Sequence, residues 1–260
     1  MQVAVLYICT GKYNQFFTGF YKSCEQNFLS GYRKQYFVWS DDINIADGCD
    51  NVVVIYKECV GFPADSLFRF DMFLQVENDL KTYDYIYFFN ANSEIRLSIG
   101  EEILPDESGL VIGVWPGKRE QQHPMFFPYE RNKKSLAYVA PYGKNYTYYM
   151  GGINGGTSEK YLEMINKLSF NIRDDYNRGI IAKFHDESHI NAYLRTHLCK
   201  KLGREFCLPE EWIQEGDNPK NVFRNKVLVD SYFNKGRKSD LLSLFKKGIN
   251  AVYNAIIWYL

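Results

Sequence analysis

The sequence predicts an α/β protein built on a mostly parallel sheet with helices packed against it. Two features carry that expectation. Strand-like and helix-like segments alternate along the chain, the order in which parallel strands are joined by crossover helices. The strand-like segments are apolar without strict period-two alternation, which suits strands covered on both faces.

Taken in order, "VAVLYICT" is the first strand, and the Phe16, Phe17, Phe20, Tyr21, Cys24 and Phe28 that follow recur at helical spacing. "KQYFVWSD" and "NVVVIYKE" are strand-like. Pro63 stands where a helix can begin, with Leu67, Phe70, Phe73, Leu74 and Leu80 as its buried stripe. "YDYIYFFN" and "GLVIGVW" are two further strands. Met125 to Thr147, rich in Pro, Lys, Asn and Tyr, is loop-like. "YYMGGINGGTSEKYLEMINKL" reads as a strand, a glycine-punctuated turn and a helix capped by Thr157 or Ser158. "HDESHINAYLRTHL" reads as a helix with Ile190, Tyr193, Leu194, His197 and Leu198 on one face. Without a repeat or a low-complexity linker, the economical division is one domain over residues 1–239 and an amphipathic helix over 240–260.

At 260 residues the chain is long enough to bury a sizeable core, and its 24% of charged residues sums to no net charge. There is thus no global field to attract nucleic acid. The six cysteines form no C-x-x-C pair and no Cys/His ligand spacing, which argues against a disulfide framework or structural zinc and for a reducing, cytoplasmic setting. "MQVAVLYICTGKY" lacks a basic lead-in, and its apolar run is too short for a signal peptide or anchor. The tail combines Lys and Arg with Trp and Ile. It is read either as a helix docked on the domain or as a peripheral contact with the inner membrane, and it is too short and interrupted to span a bilayer.

Ligands of open α/β sheets collect at the carboxyl ends of strands, so "YIYFFNANSE" draws attention first. Asn90 and Asn92 flank Ala91 and can present two amides to one cleft, although Asn at a strand end is also a plain turn former. "FHDESH" sets His185 and His189 four apart, but Glu187 is not adjacent to the first histidine as a zinc protease requires. Asp186 and Glu187 fit a first helical turn for dipole reasons alone.

These motifs stand together. "YYMGGINGGT", "FHDESHINAYL" and "LPEEW", with "ICTGKY", "SLFRFDMF", "FFNANSEIR" and "FPYERNKKSLAY" ahead of them, occur in the order seen in glycosyltransferase family 6. The resemblance covers about residues 3 to 215 and is nearest to the bacterial branch, which carries Asn-Ala-Asn in place of Asp-x-Asp. It implies a GT-A, Rossmann-like fold and retaining α1,3 transfer of N-acetylgalactosamine or galactose from the UDP donor to an acceptor galactose, often one bearing an α1,2-fucose. A catalytically silent carbohydrate-binding protein on the same fold is the alternative.

On that resemblance Ile8, Thr10 and Tyr13 cradle uridine, Arg69 lies on the arginine-bearing helix, and Asn90, Ala91 and Asn92 occupy the metal-ligand site. Hard cations need anionic oxygen ligands, so two amides predict metal independence and no cofactor. Lys235 and Arg237 are then candidates to neutralise the diphosphate. Glu187 is the expected catalytic carboxylate, as covalent nucleophile or as stabiliser of an oxocarbenium-like charge. Asp186 is expected to orient donor hydroxyls, and His185 to lie by the donor or to be structural. Met150 and Gly152, around Gly151, fall where galactose- and GalNAc-using members differ. Met150 matches the former and Gly152 the latter, and Gly152 favours UDP-GalNAc because it leaves room for an acetamide. Acceptor contacts are expected from Phe184, Trp212 and Gln214, where Phe184 and Gln214 depart from the family's Trp and Asp.

Overall fold

The structure is a computed structural model that describes residues 1–61, 63–117 and 123–226, together with Val252, Tyr253, Ile256, Trp258 and Tyr259. Seven strands form the main sheet. β1 (Gln2–Ile8), β2 (Arg33–Ser40), β3 (Val52–Tyr56) and β4 (Tyr85–Phe89) are all parallel, in the spatial order β3-β2-β1-β4. Beyond β4 the sheet continues through β7 (Tyr149–Thr157), β6 (Leu110–Val114) and β8 (Lys200–Leu202). β7 runs antiparallel to both its neighbours, and β6 and β8 are parallel. A small second sheet joins β5 (Ser93–Ile95) and β9 (Leu208–Pro209) on either side of β10 (Asn221–Phe223). The mixed but mostly parallel sheet, covered by helices, is a GT-A-like fold.

Each face of the main sheet buries one apolar cluster, which is why its strands read as continuous rather than alternating apolar runs. On one face Tyr7, Phe20, Phe28 and Phe89 pack under α1 (Phe17–Asn27). On the other, Trp39, Phe70, Phe73, Ile112 and Tyr161 pack under α5 (Ser158–Asn177) and the helical stretch that begins beyond Pro63. That stretch differs from the single helix expected. It is broken into α2 (Ala64–Leu67), α3 (Arg69–Leu74) and α4 (Glu77–Leu80), with Phe68 and Val76 leaving helical dihedrals at the joints. Leu67, Phe70, Phe73 and Leu80 are nevertheless all buried.

The glycines of "GGINGG" do not make a turn. They lie inside β7, where an added Cβ at Gly156 would meet the Gly109 carbonyl oxygen at 2.3 Å and one at Gly155 would meet Tyr87 Cδ1 at 2.4 Å. Their bareness lets three strands close up, a packing use of glycine that mimics a turn signal in sequence. The helix that follows starts as expected, with Thr157 Oγ1 accepting from the Lys160 N–H. α6 (His185–Tyr193) is shorter than its pattern suggested. Ile190, Tyr193 and Leu194 are buried, but past the helix end Leu198 is on the surface.

No helix among the described residues is long and apolar enough to cross a membrane. Most of the expected tail helix lies outside the described residues. Within it Trp258 is buried in the domain, and Val252, Tyr253 and Ile256 are exposed.

Candidate active site

A cavity of about 560 Å³ opens at the carboxyl ends of β1 and β4, against the start of β7 and the first turn of α6. It brings together Ile8, Thr10, Tyr13, Arg69, Asn90, Ala91, Met150, Gly151, Gly152, Phe184, His185, Asp186 and Glu187. Residues more than 170 positions apart in sequence converge because β1 is the central parallel strand and β7 crosses beside β4.

The end of the cavity nearest β1 is organised by carboxylates. Asp65 accepts from the Thr10 hydroxyl at 3.2 Å and the Gly61 N–H at 2.9 Å, and pairs with Lys57 at 2.8 Å. Asp41 accepts from the Gly11 N–H and the Asn14 amide, both at 2.9 Å, and these donors hold its carboxyl below the usual range against the cost of burial. The Tyr13 ring lies alongside, 5.5 Å from Lys226 Nζ.

The opposite end is dominated by α6 and β7. Asn191, one turn beyond Glu187 on α6, accepts from the Tyr149 N–H at 2.9 Å and donates to the Tyr149 carbonyl at 2.8 Å, clamping helix to strand. The clamp fixes Glu187 against β7. One Glu187 oxygen accepts from the Tyr148 hydroxyl at 2.6 Å and the other from the Gly151 N–H at 2.8 Å. Burial raises the Glu187 carboxyl above its ordinary range, while Tyr148, Gly151 and the charge of Arg69 pull it down. Asp186 is almost completely buried, with Oδ2 3.1 Å from Arg69 Nε but not aligned for a hydrogen bond. Burial pushes it up to about 7 despite that cation. Arg69 is itself fixed, donating to the Gly151 carbonyl at 2.8 Å with its guanidinium 4.6 Å from the centre of the Phe88 ring.

The "HDESH" motif therefore divides. His185, Asp186 and Glu187 line the cavity, and His185 adopts φ +48°, a conformation unusual outside glycine, at the first position of the helix. Ser188 turns back to accept from the Phe184 N–H at 2.9 Å. His189 is buried with Nε2 3.6 Å from Asp175, and burial lowers its pKa to about 4, which leaves it neutral. It cannot share a metal with His185 across the helix.

Several expected residues are placed elsewhere. Asn92 is buried and does not line the cavity. Its amide donates to the Arg224 carbonyl at 2.7 Å and its oxygen accepts from Asn90 at 2.9 Å, so it ties β5 to the end of β10. The expectation that both amides face one cleft holds for Asn90 alone. Trp212 and Gln214 line a second cavity of about 510 Å³ with Gly117 and Arg204. Trp115 bridges the two, lining the first and meeting the Trp212 ring edge-on at 5.6 Å. The crowding argument for Gly152 changes direction, because a Cβ there would meet Met150 Cε and the Phe223 ring at 3.0 Å, whereas one on Gly151 would point at Asp186 Oδ2 at 3.1 Å. Lys235 and Arg237 lie outside the described residues.

Two residues enter that the sequence reading did not single out. Tyr148 carries no signal of its own in the aromatic run "YTYYMGG". Lys226 lines the cavity beside Tyr13, and burial together with Arg69 lowers its pKa to about 8. It is the second cation after β10, behind Arg224, a position that the topology picks out and the charge-rich stretch beyond it hides.

A cavity at the strand ends of a GT-A-like sheet, with Asp186 and Glu187 sharing it with Arg69 and Lys226, is the arrangement of a glycosyltransferase, and comparison with known proteins bears that class out. The family model described as glycosyltransferase family 6 matches residues 1–228. Among similar proteins, the O-antigen biosynthesis glycosyltransferase WbnI of Escherichia coli is 34% identical over 90% of this chain and 99% of its own length. The globoside alpha-1,3-N-acetylgalactosaminyltransferase 1 of Gallus gallus is 29% identical over 85% of this chain and 64% of its own. The histo-blood group ABO system transferase 1 of Rattus norvegicus is 29% identical over 74% of this chain and 56% of its own. The chain thus spans just over half to two thirds of these vertebrate relatives and nearly all of the bacterial one. It belongs to glycosyltransferase family 6.

Proposed function

We propose that the protein is a retaining α1,3-N-acetylgalactosaminyltransferase that uses UDP-GalNAc, without a divalent metal, on the galactose of a fucosylα1,2-galactose acceptor. The observation that carries this reading is the fixed Glu187, held at both oxygens and facing the cavity that contains Arg69 and Lys226. In the reaction the bond between the sugar's C1 and the phosphate oxygen breaks, a C1–O bond to the acceptor hydroxyl forms, and that hydroxyl's proton is released. Glu187 stabilises positive charge at C1 or bonds to it transiently. Asp186 accepts from donor hydroxyls. Negative charge growing on UDP is met by Arg69 and Lys226, which line one cavity close enough for Arg69 to lower the Lys226 pKa, with Lys235 and Arg237 of the tail as further candidates.

The site is poorly matched to a divalent ion. Asn90 and Asn92 bring no anionic oxygen, Asn92 is committed to Arg224, and among the described residues no three His, Cys, Asp or Glu side chains gather. The GalNAc preference is supported by the activity named for the Gallus gallus relative and by Gly152 only as the residue that GalNAc-using members carry there, since its missing Cβ would point at Met150 and Phe223. Met150 supports UDP-galactose as the second reading. The acceptor is expected to cross from Phe184 toward Trp115 and Trp212. A panel of UDP-GalNAc and UDP-Gal against fucosylated and plain galactosides, run in EDTA with UDP release measured, tests all of this together. Turnover with UDP-GalNAc and the fucosylated acceptor in EDTA is expected. Activity that disappears on chelation would overturn the metal-free reading, and no turnover with any donor and acceptor would favour a silent binder.

A further inference from the structure

Residues 123–148 lack any strand or helix beyond the short turn Pro124–Phe126 and an isolated bridge between Glu130 and Tyr138. What holds this segment is a separate cluster formed by Phe127, Tyr129, Val139, Tyr148 and, from the tail, Trp258. Trp258 is 2% exposed, donates its indole N–H to the Val139 carbonyl at 2.6 Å, and lies 6.3 Å from the Tyr129 ring. The Tyr129 hydroxyl donates to the Thr147 carbonyl at 2.7 Å, and its ring lies 5.6 Å from that of Tyr148. Tyr148 belongs to the cluster at one end and donates to Glu187 at the other. Among the described residues, none that lines the cavity belongs to the tail from residue 240 onward.

We propose that Trp258 is a positioning residue: docked on Tyr129 and Val139, it holds Tyr148 so that its hydroxyl stays on Glu187, and the tail thereby tunes the transfer step without touching substrate. The physical reason is that the cluster is the apolar support of the segment's Tyr129–Tyr148 side, while Asp175 holds Ser135 and Leu136 separately. Truncating its largest ring opens a cavity that the neighbouring rings relax to fill. Tyr129 and Tyr146 are the rings beside Trp258, and Tyr129, 5.6 Å from the Tyr148 ring, passes the shift to Tyr148, whose short hydrogen bond at Glu187 tolerates little displacement. A shift of about 1 Å in a catalytic group lowers turnover by up to about 10²-fold. This inference rests on the reading of Glu187 as the catalytic carboxylate, so its test includes a measurement that needs no turnover.

Transfer kinetics would be compared for wild type, Trp258→Ala, Tyr148→Phe and the double variant, with active sites counted by UDP binding. The expectation is a tenfold or larger fall in kcat for Trp258→Ala, a donor KM within twofold of wild type, and a double variant no worse than Tyr148→Phe alone, since both act through one hydrogen bond. Trp258→Phe, which keeps a ring, should recover most of the loss. In parallel, carbon-13 NMR of protein labelled at tyrosine Cζ, with Tyr148 assigned through Tyr148→Phe, would follow the phenol itself. Glu187→Gln and Trp258→Ala should each move that resonance, and the Trp258→Ala shift should shrink in the Glu187→Gln background. Losses that multiply in the double variant, an unchanged kcat per active site, or a Tyr148 resonance indifferent to Trp258 would each overturn the proposal. If no donor is turned over, the functional reading fails while the resonance still decides whether the two sites are coupled.

Discussion

Glu187→Gln is the substitution that best separates chemistry from architecture. Glu187 accepts two hydrogen bonds, from the Tyr148 hydroxyl and the Gly151 N–H. Glutamine has nearly the same shape, and it can keep both contacts if its oxygen faces Gly151. Its NH₂ then faces Tyr148, whose hydroxyl can turn from donor to acceptor. Two charge-assisted bonds become neutral ones, a loss of about 1 kcal/mol each. Against that loss, a carboxylate that burial disfavours is replaced by an uncharged group. The two terms oppose each other, so the net change in stability should stay within about 2 kcal/mol of zero. The transition state has no such compensation. An amide offers no negative charge to the developing oxocarbenium ion and cannot bond to C1, and removing one such electrostatic partner costs about 10²–10³ in kcat.

The assay pairs UDP release under saturating donor and acceptor with UDP affinity by calorimetry and a thermal melt. Glu187→Gln should bind UDP nearly as wild type, melt close to it, and transfer at least ~10²-fold more slowly. Glu187→Ala is the control, because it strands two buried donors at about 1–3 kcal/mol each and should melt clearly lower. Near wild-type transfer by Glu187→Gln would remove Glu187 from the chemistry. A large drop in UDP affinity would mean that the residue belongs to nucleotide binding instead.

Further outcomes follow from the same geometry. Log kcat/KM for donor should rise through about pH 7 as Asp186 ionises and fall above about pH 8 as Lys226 loses its proton; Lys226→Arg should flatten the alkaline limb, and an unmoved limb would assign it elsewhere. Lys226→Gln should lower kcat by about 10²-fold if it meets the leaving diphosphate, and single-turnover transfer that is unaffected would refute that role. Asn90→Asp with Asn92→Asp should not create tight manganese binding, because Asn92 is held by the Arg224 carbonyl, against which a carboxylate would be repelled; calorimetric titration with manganese decides. Gly152→Ala should shift the donor ratio toward UDP-galactose by less than the roughly 10- to 200-fold that a methyl group inside a pocket supplies, because it acts on the donor through the displaced Met150. Because its Cβ would press on Met150 and Phe223, a lowered melting temperature should accompany the shift, and an unchanged donor ratio would remove the argument for GalNAc.

What could be read in the sequence, and what could not, follows from the range of the forces involved. Apolar runs reveal buried strands locally, so β1, β2, β3, β4 and β6 were all legible, and so was the carboxylate pair on α6. Glycine is ambiguous because bareness serves turns and close packing alike, and only the Gly109 carbonyl opposite Gly156 decides for packing. Asn90 and Asn92 look equivalent two residues apart, but one faces the cavity and the other is claimed by Arg224, 132 positions later. Lys226 and Tyr148 were invisible for the same reason. A cation or a phenol acquires its function from what the topology sets opposite it, and here those partners, Glu187 for Tyr148 and Tyr13 and Arg69 for Lys226, sit on helical segments elsewhere in the chain. Burial then does the chemical sorting. His185 and His189 share one motif, but one lines the cavity wall, while the other is enclosed beside Asp175, neutral and structural. The motif marked the right helix, and the packing around it divided that helix into a reactive face and a fastening one.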